Sequence, residues 1–184
     1  IGVGIPLGIL PDGIGTAESI WYLSEVNSPS FTDINDWLEL ISGRVINTDG
    51  APISIKNGKR TVRLETISAS AVVPILELSS VSVLDSGEGI AQVLPVITLC
   101  AQAANNELGD FPIIILEQPE LHLHPDATVA LAEFICGCAQ KNKNARFIIE
   151  THSESFLLSI QKALVSQKLS NADFSCNWVS KDSS

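Results

Sequence analysis

Acidic and amide side chains directly follow an apolar run in the segment 111–125. Four aliphatic residues, 113–116, lead to Glu117, and Gln118 and Glu120 come next. The pattern predicts a buried strand that ends in carboxylates, at the edge where open α/β sheets bind ligands. A carboxylate there can hold Mg²⁺, and its neighbours are close enough to orient an attacking water. For this segment alone, a buried strand followed by a polar turn is nearly as good an interpretation.

A histidine follows the next apolar run. Residues 147–149 lead to Glu150, and His152 comes two positions later. Ser153 and Glu154 are typical of a helix start. A serine hydroxyl can cap the first free N–H groups, and an acidic residue in the first turn is stabilised by the helix dipole. A histidine between a parallel strand and a helix can donate a hydrogen bond to a terminal phosphate. A lone histidine is more often structural, but its place after an acid-ending strand favours function.

Two glycines lie in a turn before a predicted helix, in the segment from Asp85 to Gln92. Gly87 and Gly89 allow close approach of the backbone, and the free N–H groups of a helix start favour an anion. Taken alone, the segment is better explained as a strand-to-helix turn in which glycine is needed for the backbone conformation.

Strands and helices must alternate in the second half to position these residues. The patterns predict a helix at about 90–105, a strand at 112–117, a helix at about 126–141, a strand at 146–150 and a helix at about 153–168. This order predicts an α/β fold with a parallel sheet flanked by helices.

The first half predicts helices at about 17–25 and 32–42 and strands within 44–67 and 72–84. The pair Asn57 and Gly58, between alternating apolar residues, predicts a β-hairpin. The segment from Gly8 to Thr16 has the first spacing of a phosphate-binding loop. Because Ile14 stands where the phosphate-binding lysine is needed, we predict a turn there that does not bind phosphate.

Composition narrows the class of protein. With 184 residues, 45% of them hydrophobic, the chain is long enough for one globular core. No apolar run approaches the roughly 20 residues that cross a bilayer, so we expect no membrane partner and a cytoplasmic location. The net charge of −10 argues against a broad basic surface for nucleic acid. For the local basic cluster between Lys56 and Arg63, a solvated hairpin face is favoured over a nucleic-acid contact.

Four cysteines do not have the spacing of a metal finger, and we predict structural or inert thiols. The chain contains no methionine at all, and we expect a fragment of a longer protein.

In this order, the three segments resemble the ATPase head shared by ABC transporters, SMC proteins, RecF and the OLD-type bacterial defence ATPases. Ile113–Pro119 looks like the Walker B strand, Leu121–Pro125 like the D-loop region, Asp85–Gln92 like the signature motif, and Thr151–Ser153 like the switch histidine. The similarity is greatest to OLD-like bacterial AAA-type ATP-binding proteins that read Glu-Gln-Pro-Glu-Leu-His-Leu-His-Pro. It covers about residues 83–165 well and the first 80 residues loosely.

The resemblance implies a P-loop NTPase-like fold, a truncated ABC-ATPase head that uses ATP and Mg²⁺. Residues 1–82 would form a variable insertion or lid, β-rich and helical, and residues 83–184 the C-terminal ATPase core. Glu117 would be the metal ligand, and the catalytic set would be Glu117, Gln118, Glu120 and His152. The nucleotide-binding set would be Ser86, Gly87, Glu88, Gly89, Gln92 and His124.

In such heads, ATP lies between two protomers, which implies a homodimer. The signature residues would then contact a partner's ATP, and hydrolysis would drive a DNA-related or defence process, with DNA or a nuclease as a partner.

Two departures from the family pattern matter. Gln118 stands where the family has its catalytic glutamate, and an amide cannot accept a proton. General-base help is typically worth roughly 10²–10⁴ in rate, so either Glu120 or Glu117 substitutes or hydrolysis is slow. No phosphate-binding loop is found in the chain, and we expect that loop upstream.

Two alternatives stay open. In the first, Glu120, His122 and His124 alternate and would share one face of an extended strand as ligands of a metal-dependent hydrolase. Pro119 and Pro125 favour a turn instead. In the second, the chain is a nucleotide-sensing or dimerisation module that holds ATP without hydrolysing it.

Overall fold

The computed structural model describes residues 8–48, 53–56, 59–69, 81–83 and 87–179, and all structural statements below concern these residues. The helices are α1 (Thr16–Glu25), α2 (Pro29–Ser42), α3 (Glu88–Ala104), α4 (Pro125–Lys141) and α5 (Glu154–Val165). The strands are β1 (Arg44–Asn47), β2 (Ile53–Lys56), β3 (Lys59–Val62), β4 (Glu65–Ser68), β5 (Val81–Ser82), β6 (Ile113–Glu117) and β7 (Arg146–Glu150). None of the described helices is long and apolar enough to cross a membrane.

The start of α2 shows how capping sets a helix boundary. Ser28 precedes Pro29, and the Ser28 side chain accepts a hydrogen bond from the backbone N–H of Ser30 at 3.0 Å. Proline is favoured at the first helical position because its fixed φ suits the helix and its missing N–H is not needed there. The helix therefore begins at Pro29, three residues before the predicted position.

The strands of the first half form two antiparallel sheets. One has the order β1-β4-β5, and β2 pairs with β3 in the other. Lys56 lies opposite Lys59, which leaves two residues for the connection, so the predicted hairpin at Asn57 and Gly58 is confirmed. Of the strand predicted at 72–84, residues 81–83 are described, and they include β5. The remaining positions, 72–80 and 84, lie outside the described residues.

The second half contains the predicted parallel pair. Strand β6, helix α4 and strand β7 follow one another, and the two strands pair in parallel from Ile113 with Arg146 to Glu117 with Glu150. Helix α5 follows β7. The prediction of an α/β fold with a parallel sheet and flanking helices is confirmed.

Strand β6 is buried on one face only, so the expectation of a fully buried strand was wrong. Ile114 and Leu116 lie in the core, whereas Ile113 is 63% exposed and Ile115 is 73% exposed. Because side chains alternate across a strand, the two exposed isoleucines share one face. Helix α3 packs against β6. Glu117 belongs to the exposed face, since it is two residues beyond Ile115.

All five described α-helices contribute to the main hydrophobic core. Its most buried members include Ile20 from α1, Leu38 from α2, Ile97 from α3, Leu131 from α4 and Phe156 from α5. The core therefore includes side chains from both sides of the predicted boundary between residues 82 and 83. The assignment of residues 1–82 to a lid and 83–184 to an ATPase core stays a prediction about function.

Candidate functional site

Glu117 and Glu150 end the two parallel strands side by side. They are register partners in the β6–β7 ladder, and register partners on neighbouring strands project to the same face of a sheet. Both carboxylates are exposed, and the Glu150 side chain retains 61% of its accessible surface. The structure therefore places two carboxylates next to each other at the strand ends, where the sequence predicted one. Glu150 was not among the predicted site residues, although the acidic ending that the two apolar runs share pointed to it.

Gln118 is the residue at which the chain leaves the sheet. Its backbone N–H donates to the carbonyl oxygen of Glu150 at 2.8 Å, so it extends the ladder by one step. Its φ of +44° is left-handed, which costs a residue other than glycine roughly 1–2 kcal/mol. Its carbonyl accepts from the N–H of Leu121 at 3.0 Å, which closes a turn. Gln118 is thus held at a defined place beside the end of β7.

A cavity of about 500 Å³ adjoins the end of β6. Glu117 and Gln118 form part of its wall. The rest of the wall is largely apolar and comes from the segment before α1, from α3, from β6 and from the turn after it: Leu10, Pro11, Pro95, Val96, Leu99, Ile115, Leu116, Pro119 and Leu121. There is consequently room for a ligand next to two of the predicted catalytic residues.

Glu120 is tied to the loop after β7. Its Oε1 accepts a hydrogen bond from the hydroxyl of Thr151 at 2.6 Å. Its Oε2 is buried and has no hydrogen-bond partner in the described part of the chain. A water molecule in solvent cannot reach that oxygen in this conformation. The catalytic role of Glu120 stays a prediction, and the geometry shows that it also joins two loops.

His152 lies in solvent beside Glu150. Its side chain is 76% exposed, and its Nε2 lies 3.7 Å from Oε1 of Glu150, which makes an ion pair when the ring is protonated. The predicted helix start follows at once, because the hydroxyl of Ser153 accepts from the N–H of Phe156 at 3.2 Å and caps α5. An exposed imidazole at the end of a parallel strand is free to meet a ligand.

The glycine-containing turn precedes α3 as expected, although Ser86 lies outside the described residues. Gly87 has a φ of +111° and stands immediately before the first helical residue, Glu88. Both are exposed, as is Gln92, whose Nε2 donates to Oε1 of Glu88 at 3.3 Å. The start of α3 therefore presents three of the predicted nucleotide-binding residues to solvent.

Gly89 faces the turn after β6. A Cβ atom at this position would lie 2.7 Å from the carbonyl oxygen of His122, a distance that such atoms essentially never show. The glycine is therefore required for the close approach of α3 to the loop that carries Gln118. The contact connects the segment resembling a signature motif to the segment resembling a D-loop within one chain.

His124 caps α4. Its Nδ1 accepts from the N–H of Asp126 at 3.3 Å, Pro125 occupies the first helical position, and the His124 side chain is 75% exposed. This arrangement gives His124 a structural reason to be present. Its predicted role in nucleotide binding stays a prediction.

Residues 118–122 form turns rather than an extended strand, as the flanking prolines indicated. His122 has a left-handed φ of +64°, so Glu120, His122 and His124 do not share the face of a strand. Among the described residues, no group of three His, Cys, Asp or Glu side chains could hold a metal ion. Mg²⁺ commonly uses one or two carboxylates and completes its shell with phosphates and water, so the exposed Glu117 fits that ion.

The segment before α1 is a turn, as predicted. The N–H of Gly13 donates to the carbonyl of Leu10 at 2.8 Å, and the N–H of Thr16 donates to the carbonyl of Gly13 at 3.2 Å. The N–H of Ile14 donates to a carboxylate oxygen of Asp12 at 3.0 Å. These N–H groups are satisfied within the turn, whereas a phosphate-binding loop leaves its N–H groups for the ligand.

Solved structures of SMC heads are similar to this chain at 12% identity. One is described as "Structural biochemistry of ATP-driven dimerization and DNA stimulated activation of SMC ATPases", with a TM-score of 0.49 and coverage of 77% of each chain. A second is the SmcHead bound to the C-winged helix domain of ScpA, with a TM-score of 0.49 and coverage of 80% of this chain and 41% of that one. A third is the Smc head domain from Pyrococcus furiosus with an extended coiled coil, bound to the C-terminal domain of ScpA. Its TM-score is 0.48, and the coverage is 77% of this chain and 32% of that one. The chain thus spans less than half the length of two of the three.

No curated protein matches the chain. A family model does: the family described as "AAA domain, putative AbiEii toxin, Type IV TA system" matches residues 23–159, which is about three-quarters of the chain. The chain belongs to this family of AAA ATPase domains, and its α/β fold is P-loop NTPase-like.

Proposed function

We propose that this chain is the C-terminal part of an ATP-hydrolysing head that binds ATP and Mg²⁺ at the ends of β6 and β7. The observation that carries the proposal is the register pair Glu117 and Glu150 beside the exposed His152. Membership of an ATPase domain family supports it. Open α/β folds bind their ligands at the carboxyl ends of the parallel strands, and this carboxylate pair lies there.

Each residue at the ends of β6 and β7 would have a separate role in hydrolysis. Glu117 would hold Mg²⁺, which offsets the charge of the phosphate oxygens when bound. The Gln118 amide would orient the attacking water from its fixed place beside β7. The exposed His152 ring would donate a hydrogen bond to the terminal phosphate. Catalysis would then rest mainly on positioning and charge stabilisation.

We assign the start of α3 to the partner protomer's nucleotide. Gly87 and Glu88 are exposed at the helix start, Gly89 follows them, and free N–H groups at a helix start favour an anion. Ser86, Gln92 and His124 complete the proposed nucleotide-binding set. ATP would then be enclosed by two copies of the protein, and its hydrolysis would reopen the homodimer.

The biological process is proposed from the family. Its description as a putative toxin of a type IV toxin–antitoxin system favours a defence role, with DNA or a nuclease as the partner acted upon. Such a role places the protein in the cytoplasm. Residues 1–82 would act as the lid that adapts a common ATPase core, 83–184, to this role. In the basic cluster, for which a solvated hairpin face is favoured over a nucleic-acid contact, Arg63 is exposed and the side chains of Lys56, Lys59 and Arg60 lie outside the described residues.

Steady-state ATPase measurements on the full-length protein test the proposal. We expect Mg²⁺-dependent hydrolysis that Glu117→Gln and His152→Ala reduce by about 10²-fold or more, a loss typical of removing a group that stabilises transition-state charge. Glu39→Gln is the matched control, because Glu39 is an exposed glutamate on α2 away from the strand ends. If neither site variant changes the rate, the proposed site is wrong.

A non-hydrolysing nucleotide sensor is the second candidate, and one observation favours it. Gln118 cannot accept a proton, and the carboxylate of Glu120 is hydrogen-bonded and partly buried. A protein of this kind would bind ATP and dimerise without turnover. Tight ATP binding together with no detectable hydrolysis would favour this candidate over the first.

A further inference from the structure

The proposed hydrolysis lacks an evident base among the residues that the sequence suggested. Gln118 carries an amide, and Glu117 is assigned to Mg²⁺, which withdraws the electron density that a base needs. Glu120 is engaged through Oε1 with Thr151, and its Oε2 is buried. None of these three side chains offers an ionised carboxylate that is both accessible and uncommitted.

Glu150 meets the requirements that those residues fail. It lies at the end of β7 as the register partner of Glu117, and its side chain is 61% exposed. Its carbonyl oxygen accepts from the N–H of Gln118 at 2.8 Å, so it stands beside the position where the family has its glutamate. Glu150 and Gln118 are therefore neighbouring residues at the ends of the two parallel strands.

The contact with His152 leaves one carboxylate oxygen of Glu150 available to water. Oε1 of Glu150 lies 3.7 Å from Nε2 of His152, and this is its only ion pair among the residues that the structure describes. This contact restricts the rotamers of the Glu150 side chain. Oε2 has no contact of this kind and can accept a hydrogen bond from water.

We propose that Glu150 is the general base of this head and replaces the glutamate that Gln118 lacks. The inference rests on the proposed ATPase function. As the water oxygen bonds to the γ-phosphorus, one water proton passes to the Glu150 carboxylate and the other stays on the phosphate that forms. The bond from the γ-phosphorus to the β–γ bridging oxygen breaks, and its electron pair leaves with ADP. Glu150 then returns its proton to solvent, to which it is open.

The test separates chemistry from binding in the full-length protein. Glu150→Gln keeps the shape of the side chain and removes its basicity, so single-turnover hydrolysis should fall by roughly 10²–10⁴-fold. Equilibrium binding of a fluorescent ATP analogue should stay unchanged. Light scattering should show an ATP-dependent dimer that persists because its nucleotide is not hydrolysed. Glu154→Gln, an exposed glutamate in the first turn of α5, is the matched control.

The outcomes distinguish the inference from the function on which it rests. If the wild-type protein binds no ATP, the proposed function fails. If the wild type hydrolyses ATP and Glu150→Gln does so at the same rate, Glu150 is not the base and the function stands. If Glu150→Gln raises the Mg²⁺ concentration needed for nucleotide binding, as expected for Glu117→Gln, Glu150 is a metal ligand and the inference is overturned. Recovery of hydrolysis in the double variant Glu150→Gln, Gln118→Glu would support it, because a merely structural defect would not be rescued.

Discussion

The hydroxyl of Thr151 donates a hydrogen bond to Oε1 of Glu120 at 2.6 Å and so joins the loops that follow β6 and β7. The same Thr151 oxygen accepts from the N–H of Ser153 at 3.1 Å, at the start of α5. One loop carries Gln118 and the other carries His152. This contact between side chains therefore holds the two loops together beyond the end of the β6–β7 backbone ladder.

Thr151→Val should destabilise the protein by about 1–3 kcal/mol, because it leaves the Glu120 carboxylate partly buried without its donor. Thr151→Ser retains the hydroxyl and serves as the control, with a smaller loss expected. Urea denaturation of the full-length variants measures the change. In a double-mutant cycle with Glu120→Ala, the two changes should be non-additive by at least about 0.5 kcal/mol. Strict additivity would show that the contact does not contribute to stability.

Gly89 and Gly137 give a matched pair of glycine substitutions within helices. Gly89→Ala should destabilise by about 1–3 kcal/mol, the usual cost of overpacking, because the new Cβ would lie 2.7 Å from the backbone oxygen of His122. Gly137→Ala places a Cβ in open space on α4 and should stabilise by about 0.5–1 kcal/mol. Thermal unfolding of both variants measures the difference. If both substitutions stabilise, the close approach of α3 to the turn after β6 does not exist in solution.

Local patterns were enough to predict much of this architecture. The strand–helix–strand–helix order, the Asn57–Gly58 hairpin, the Ser153 cap and Glu117 at the end of a strand each follow from a few adjacent residues. The exposed face of β6 could not be predicted, since a run of four aliphatic residues carries no alternation to reveal it.

The contacts that define the site were beyond local patterns. Glu117 and Glu150 are partners in the ladder although helix α4 separates their strands in the sequence. Neither strand alone determines the register of the pair. Gly89 meets His122 and Glu120 meets Thr151 only because the chain folds back over roughly 30 residues. Glycine, glutamate and threonine occur in many structural settings, so these residue types alone do not predict that Gly89 contacts His122 or that Glu120 contacts Thr151.

His124→Ala should cost about 0.5–2 kcal/mol of stability, the range for loss of a helix N-cap, because α4 would lose the acceptor for the Asp126 N–H. His124→Asp should retain most of the stability, since aspartate is a good cap. Chemical denaturation of the variants tests the structural role, and ATP-analogue binding by the same proteins tests the nucleotide contact. Weaker binding by His124→Asp at unchanged stability would support the contact.

The described cysteines should differ sharply in their reactivity. Cys176 is exposed, whereas Cys100, Cys136 and Cys138 are buried, and burial raises the pKa of each buried thiol. Because the thiolate is the reactive species, these three should react slowly with a thiol reagent in the native state. Mass spectrometry after brief labelling should find the reagent on Cys176, and labelling in urea should reach all four. Rapid native labelling of Cys100 would contradict the buried core described here.

Alkaline pH should destabilise the protein through Cys138. Burial, followed by the charge of Asp33, raises the pKa of this thiol from 9.0 to about 12. In the unfolded chain the thiol ionises near its ordinary pKa, so the stability that it contributes is fully present below that value and is lost as the pH rises towards the folded pKa. At about pH 10, one such group lowers the free energy of unfolding by about 1 kcal/mol relative to neutral pH.

Cys138→Ala removes the titrating group and leaves the other ionisable residues in place, so its stability should fall less than that of the wild type over the same interval. Urea denaturation of both proteins at the two pH values measures this difference. Equal losses would show that the Cys138 thiol ionises as readily in the folded protein as in the unfolded chain.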